Sequence, residues 1–437
     1  MTLRLKLKSI LLTAAVAMTL QGCSSSDDVA SLPAPLPVVK NPQPVGQLWL
    51  STDADGTDEF YSVLRPVVGY DKVFIASRSG DIYAYEKFSG DWVWASDIRK
   101  QQNSIWVTLG FDDEEIAKVA GGIVASYKKV FFGTENGEVI ALDEATGKVV
   151  WRSKVKGEVL AKPAVDKGLV FVQTGSGLVY ALDAETGEEK WMTESEVPVL
   201  TIRGTASPVY ANGGVIVGGA NGKVSVYLAE TGQLAWEQAV AKPAGSTELE
   251  RVVDVDATPI VLGSLIYSVS YGGKLTAMEM RNGRVVWDRD YSGFVDMVAS
   301  GNELFVVDNQ SNIYALDRRN GVEKWSSSEL LNREITAPVI HEGKLAVGDF
   351  EGFIHWFNAE TGKIEAQYLA DIDGLNSSPY IERERLYVQG KSGKLSALVF
   401  AGAKITDEEG NEITPRRSRR NEEILPTKDQ YDGHNRF

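Results

Sequence analysis

The sequence predicts an all-β fold, an eight-bladed β-propeller of four-stranded antiparallel blades, and three observations carry the prediction. First, the stretch NGEVIALDEATGKVVW, residues 136–151, recurs along most of the 437-residue chain. Its core is Ala, Leu, Asp, two variable positions, Thr, Gly, three variable positions and Trp. It returns as Ala181, Leu182, Asp183, Thr186, Gly187 and Trp191, and again as Ala315, Leu316, Asp317, Gly321 and Trp325. Looser copies end on Trp94, Trp236 and Trp287, and one copy puts Ala366 where Trp belongs. Second, the turn glycines 90, 147, 187, 232, 283, 321 and 362 are spaced by 57, 40, 45, 51, 38 and 41 residues, and a period of about forty is that of propeller blades. Third, the last repeat, residues 375–400, has no Gly and Trp after it, while a spare strand with a stray Trp49, GQLWL at 46–50, precedes the first repeat.

Each element of a repeat has a local reason. Val139 and Ala141 point to one face of a strand and Ile140 and Leu142 to the other, so the strand is apolar on both sides and lies between two other sheets. Ahead of it stands a glycine pair such as Asn136 and Gly137 or Ser176 and Gly177, which suits the positive φ of a tight two-residue hairpin turn. Behind it, Thr146 and Gly147 turn the chain into an outer strand ending on Trp151. Upstream, Pro66, Pro163, Pro208, Pro259, Pro338 and Pro379 lack the donor that a central strand needs, and so belong at a strand end or on an exposed inner edge strand. The spare strand at 46–50 completes the eighth sheet and closes the ring, removing the open edges that invite aggregation. Trp49, Trp94, Trp151, Trp191, Trp236, Trp287 and Trp325 are read as structural, each burying on the order of 200 Å² between blades, or roughly 5 kcal/mol before ordering entropy is subtracted.

In chain order, residues 1–22 carry Arg4, Lys6 and Lys8 before an apolar run too short to cross a bilayer, which is an export signal. Residues 23–45 begin at Cys23, the single cysteine, and continue through Pro33, Pro35, Pro37, Pro42 and Pro44. They read as an extended, flexible tether with a reach of roughly 60 Å. The propeller occupies 46–400, with insertions at 99–117, 194–203 and 241–251 at blade junctions, where a rigid ring carries its function. Residues 401–437 are polar, with Arg416, Arg417, Arg419 and Arg420, and read as a disordered tail.

Losing the signal takes away three cations and no acid, moving the formal charge from −15 to −18. A body this acidic is a poor ligand for nucleic acid. The three histidines, His341, His355 and His434, form no zinc spacing, and no nucleophile elbow or phosphate loop is present. The sequence asks for no catalytic group, metal or cofactor.

The ending Leu20, Gln21, Gly22, Cys23 resembles the lipobox of bacterial lipoproteins. It implies that Cys23 becomes the acylated N-terminus, and Ser24 after it favours the outer membrane. The Ala-Leu-Asp, Thr-Gly, Trp repeat resembles that of the pyrroloquinoline quinone propellers, the quinoprotein dehydrogenases. Those enzymes usually add a vicinal disulfide, which one cysteine cannot make. Lipobox, single ring and two loop segments, PVLTIRGTASPV at 198–209 and GSTELERVVDVDATPI at 245–260, together resemble the BamB family, lipoproteins of the outer-membrane β-barrel assembly machinery. The resemblance covers residues 1 to about 400. It implies that these loops dock on the periplasmic POTRA domains of the BamA homologue, with the family's two aliphatics and Arg on Leu200, Ile202 and Arg203 and its paired acids on Asp254 and Asp256. It also implies a periplasm-facing, non-enzymatic scaffold working with the other members of that complex.

On the residues alone, two arrangements stay open. Leu200 and Ile202, alternating with Thr201, either present one apolar face beside Arg203 or pack under their loop. Asp254 and Asp256 either orient Arg203, meet a partner's cation or are simply solvated. Two other function classes remain beside the scaffold, a quinoprotein dehydrogenase or its degenerate relative, and a glycan-binding propeller using exposed aromatics.

Overall fold

The computed structural model describes residues 32–39, 42–57, 64–99, 116–198, 200–201, 206–243, 246–247, 251–403, 405–406 and 410–417. Cys23 and the rest of the signal and acylation segment lie outside them, as do Arg419, Arg420, His434 and most of the insertion at 99–117.

Eight sheets stand in a ring, seven of them built from four consecutive antiparallel strands. The second blade is representative: Val124–Ser126 innermost, then Lys129–Gly133, Glu138–Asp143 and Val149–Lys154 at the rim. The two middle strands are buried on both faces, as their unbroken apolar runs require. The prolines stand one residue ahead of three-residue inner strands such as Ala164–Asp166 and Val209–Ala211, where a missing N–H interrupts no ladder. The glycine turns are longer than the two residues expected. Thr134 N donates to Glu138 O at 3.0 Å and Gly137 N to Thr134 O at 3.1 Å, so three residues separate the closing pair. Gly137 supplies the positive φ, +72°.

The eighth sheet has the order Tyr380–Glu382, Arg385–Gln389, Leu395–Phe400, Val45–Ser51, Arg416–Arg417. Trp49 lies opposite Ala397, so the N-terminal strand closes the ring as its composition predicts. The fifth strand, where Gly46 and Gln47 pair with Arg417 and Arg416, falls in the stretch read as a disordered tail. A short hairpin of Ile405–Thr406 and Glu412–Ile413 leads into it.

Every repeat Trp reaches into the following blade. Trp151 Nε1 donates to Ala184 O at 3.2 Å and Trp191 Nε1 to Ala229 O at 2.9 Å. Trp49, Trp94, Trp236, Trp287 and Trp325 make the same bond one blade further on, to Lys87, Glu144, Met280, Arg318 and Ala359. The indole covers the turn glycine so closely that a Cβ on Gly187 would come within 2.6 Å of the Trp151 ring. A second aromatic, on the second strand, tilts against most of these indoles, as Phe131 does against Trp151 with centroids 5.8 Å apart.

The seventh blade breaks the rule for a topological reason. In the eighth blade the third and fourth strands come from opposite ends of the chain, so no turn with a glycine joins them for a Trp to cover. Ala366 occupies the vacated position, and Trp356, Phe400 and His341 fill the seam instead. Trp356 Nε1 donates to His341 Nδ1 at 3.0 Å, and His341 Nε2 lies 2.8 Å from Glu384 O.

Candidate docking site on the connector face

One face of the ring carries the connections between blades together with the turns between second and third strands; the other carries the remaining hairpin turns. On the connector face, blades three and four enclose a cavity of about 270 Å³. Its walls include Gly157 and Glu158 from the connection into blade three, Thr174 and Ser176 from that blade's turn, Val197 and Thr201 from the next connection, and Asp256 from the one after. Three successive connections therefore converge on one hollow.

Gln173, buried at the end of blade three's second strand, donates from Nε2 to Gly218 O of blade four at 2.7 Å, leaving its Oε1 unpartnered. Gln389 ties blade eight to Ala76 of blade one in the same way, so this amide belongs to the ring's general construction. Asp256 is particular to this place. Its Oδ2 is buried without a hydrogen-bond partner, and burial, together with the neighbouring Asp254 carboxylate, pushes its pKa up to about 7.

The two acids expected to act alike do not share an environment. Asp254 is fully buried between the buried side chains of Val253 and Val255, whereas Asp256 is half-buried and borders the cavity. The segment is held down by its backbone, with Val255 N donating to Gly219 O at 3.1 Å and Tyr271 N to Asp254 O at 2.8 Å. Leu200 stands 46 % exposed. Ile202 and Arg203 lie outside the described residues.

Sequence reasoning missed a second polar cluster on this face, at blades six and seven. The Arg333 guanidinium is buried against Asp349 (Nε to Oδ2 2.9 Å, Nη2 to Oδ2 2.7 Å) and also reaches Glu351. His355 Nε2 lies 2.9 Å from the same Asp349 oxygen, and Gln367 Nε2 lies 3.1 Å from His355 Nδ1. Burial alone would raise the Asp349 pKa; His355 and Arg333 outweigh it and hold the carboxyl below its ordinary value. None of these residues occupies a fixed position of the repeated motif, and only their spatial convergence reveals them.

The architecture defines a class: an eight-bladed propeller built of quinoprotein-type repeats, closed by an N-terminal strand and carrying a cavity among its blade connections. A family model described as outer membrane protein assembly factor BamB matches residues 78–327. A relative bearing that name from Shewanella oneidensis is 40% identical over 395 residues, covering 90% of this chain and 98% of the relative. The Escherichia coli K12 relative of the same name is 37% identical over 398 residues, covering 90% and 100%. The crystal structure of BamB from Moraxella catarrhalis superposes with a TM-score of 0.70 at 25% identity, covering 82% of this chain and all of that one. The chain belongs to the BamB family. Quinohemoprotein alcohol dehydrogenase from Comamonas testosteroni, TM-score 0.63 at 16% identity over 85% of this chain and 79% of its own, shares the fold alone.

Proposed function

We propose that this chain is an assembly factor of the outer-membrane β-barrel machinery, that it works as a scaffold without catalysis, and that it binds the POTRA domains of the BamA homologue through Leu200, Ile202, Arg203 and Asp256. The family assignment supports the assembly role. The hollow between blades three and four supports the site: an exposed aliphatic side chain stands next to a cavity containing a buried carboxylate oxygen with no hydrogen-bond donor. Such a group costs free energy in the unbound protein, and a partner that brings a donor or cation removes that cost. Asp254 takes an indirect part, since its charge raises the Asp256 pKa from inside the fold. By holding the POTRA domains in one geometry the ring would raise the local concentration of the assembly components.

The test is pulldown of the soluble 24–437 protein with the periplasmic region of its BamA homologue, comparing wild type, Leu200→Glu and Arg203→Glu, each checked for folding by circular dichroism. Binding by wild type alone is the expected result. Equal binding by all three would move the site elsewhere on the ring. Absence of wild-type binding would remove the scaffold reading and bring forward quinone-dependent dye reduction after reconstitution with calcium.

A further inference from the structure

Residues 32–39 fall in the stretch that composition marks as a free tether, yet they lie along blades six and seven as a strap. Ala34 N donates to Leu331 O at 2.8 Å, and Asn332 Nδ2 donates to Leu32 O at 3.4 Å. Arg333 Nη1 donates to Ala34 O at 2.9 Å, and Gln367 Nε2 to Pro37 O at 3.1 Å. Gln43 N then donates to Glu365 O at 2.8 Å, just before the chain enters the closing strand. The strap is therefore the lid of the buried Arg333 cluster, and its backbone carbonyls satisfy two of that cluster's donors. Arg333 is 1% exposed beneath it. Without the strap a buried cation would lose an acceptor, which is a strong reason for the strap to stay down.

The place where the strap begins has a geometric consequence. Leu32 sits against Asn332, in the connection between blades six and seven, so the chain leaves on the connector face. Eight residues separate it from Cys23, and a fully extended chain covers at most about 3.5 Å per residue step, so the remaining leash is at most roughly 30 Å. This is about half the reach expected of an unattached tether, and it starts on one face instead of at the closing strand on the rim.

We propose that the strap makes the connector face the membrane-proximal face of the ring. The rim at blades six and seven is then held within the leash length of a lipid surface, and the loops around Leu200 and Asp256, on the same face and three and two connections away around the ring, are presented toward the bilayer. This rests on the reading of Cys23 as the acylated residue. The lipid surface is the partner of this face by attachment, since the acidic body offers it no electrostatic attraction.

The experiment uses the full acylated chain in phosphatidylcholine vesicles, which are neutral and so do not steer the tail arginines. A donor dye is attached at Gln310→Cys, exposed on the connector face of blade six, or at Glu360→Cys, exposed in the opposite-face turn of blade seven, with an acceptor dye in the outer leaflet. Energy transfer several-fold stronger from position 310 than from 360 is expected. Inserting about twenty Gly-Ser residues between Cys23 and Leu32, outside the described residues, should erase the difference. Equal transfer from both positions, or stronger transfer from 360, would overturn the proposal, as would a difference that survives the insertion. Vesicle flotation is scored first: a chain that does not float removes the acyl anchor and the proposal with it, while a chain that floats with equal transfer overturns the proposal alone.

Discussion

Asp256 combines a buried, unpartnered oxygen with a pKa near 7, and the sign of its pH dependence follows. Its folded-state value lies above the unfolded one, so the folded state binds the proton more tightly. Stability is highest below the unfolded value of about 4 and falls as pH rises toward 7. Asp256→Asn removes the ionisation penalty. The variant should therefore melt higher than wild type at about pH 8, and the gap should close by about pH 4, as read from thermal unfolding curves. Partner binding should run the other way: if the ionised carboxylate meets a cation, wild-type affinity weakens as pH falls below about 7, while the Asn variant binds more weakly and without that slope. A slope shared by both proteins would assign it to another group. Gly187 is a residue-scale test of the ring itself. Its φ is +75° and its missing Cβ makes room for Trp151, so Gly187→Ala should destabilise by roughly 1–3 kcal/mol and Trp151→Ala by roughly 3–5 kcal/mol in denaturant titrations.

The strap and the closing strand are the two elements whose roles depend on distant parts of the chain. Arg333→Gln removes the cation from a buried pair while leaving Asp349 in place, and breaking such pairs costs about 3–5 kcal/mol. The variant should unfold at lower denaturant, and proteases should cut N-terminal to residue 45 faster than in wild type. Unchanged cleavage would mean that the strap is held by its other bonds. Deleting residues 24–52 removes the fourth strand of the eighth blade as well, exposing the edge of Leu395–Phe400. That protein should aggregate where a deletion of 24–41 stays soluble, as size-exclusion chromatography would read. The fifth strand, Arg416–Arg417, covers the outer edge of the closing strand over two residue pairs, so truncation after residue 413, which keeps buried Ile405 and the Thr406 carbonyl that accepts from Arg385, should leave the melting behaviour nearly unchanged.

For the molecule as a whole, the ring turns a one-dimensional repeat into a rigid body with two unlike faces. Seven indoles each bridge from one blade to the next, so stability is distributed around the ring, and loss of one seal weakens two neighbours. The cavity of blades three and four and the strap of blades six and seven both belong to the connector face. The partner docking proposed for the one and the membrane attachment proposed for the other therefore share a single face of the ring.

Repetition made most of the fold legible in advance. A motif with Gly and Trp at fixed offsets has one use when it recurs about every forty residues, and the unmatched strand around Trp49 could only belong with the unmatched sheet at 375–400. Even the exception at Ala366 was visible, although its cause, a blade with no turn to cover, is a property of the closed ring. The site was half legible. The loops at 198–209 and 245–260 drew attention through resemblance, and among their described residues Leu200 is exposed. Burial separates Asp254 from Asp256, however, and two acids at alternating positions look alike in sequence. The strap was not legible at all. A run of Ser, Asp and Pro has the composition of a free linker, and what fixes it is the Arg333 side chain about three hundred positions later. Local sequence determined the strands, turns and seals because each depends on neighbours within a blade. Only the tertiary structure decided which polar groups lost their water and which face the chain leaves from, because burial and direction are set by contacts between residues far apart in the chain.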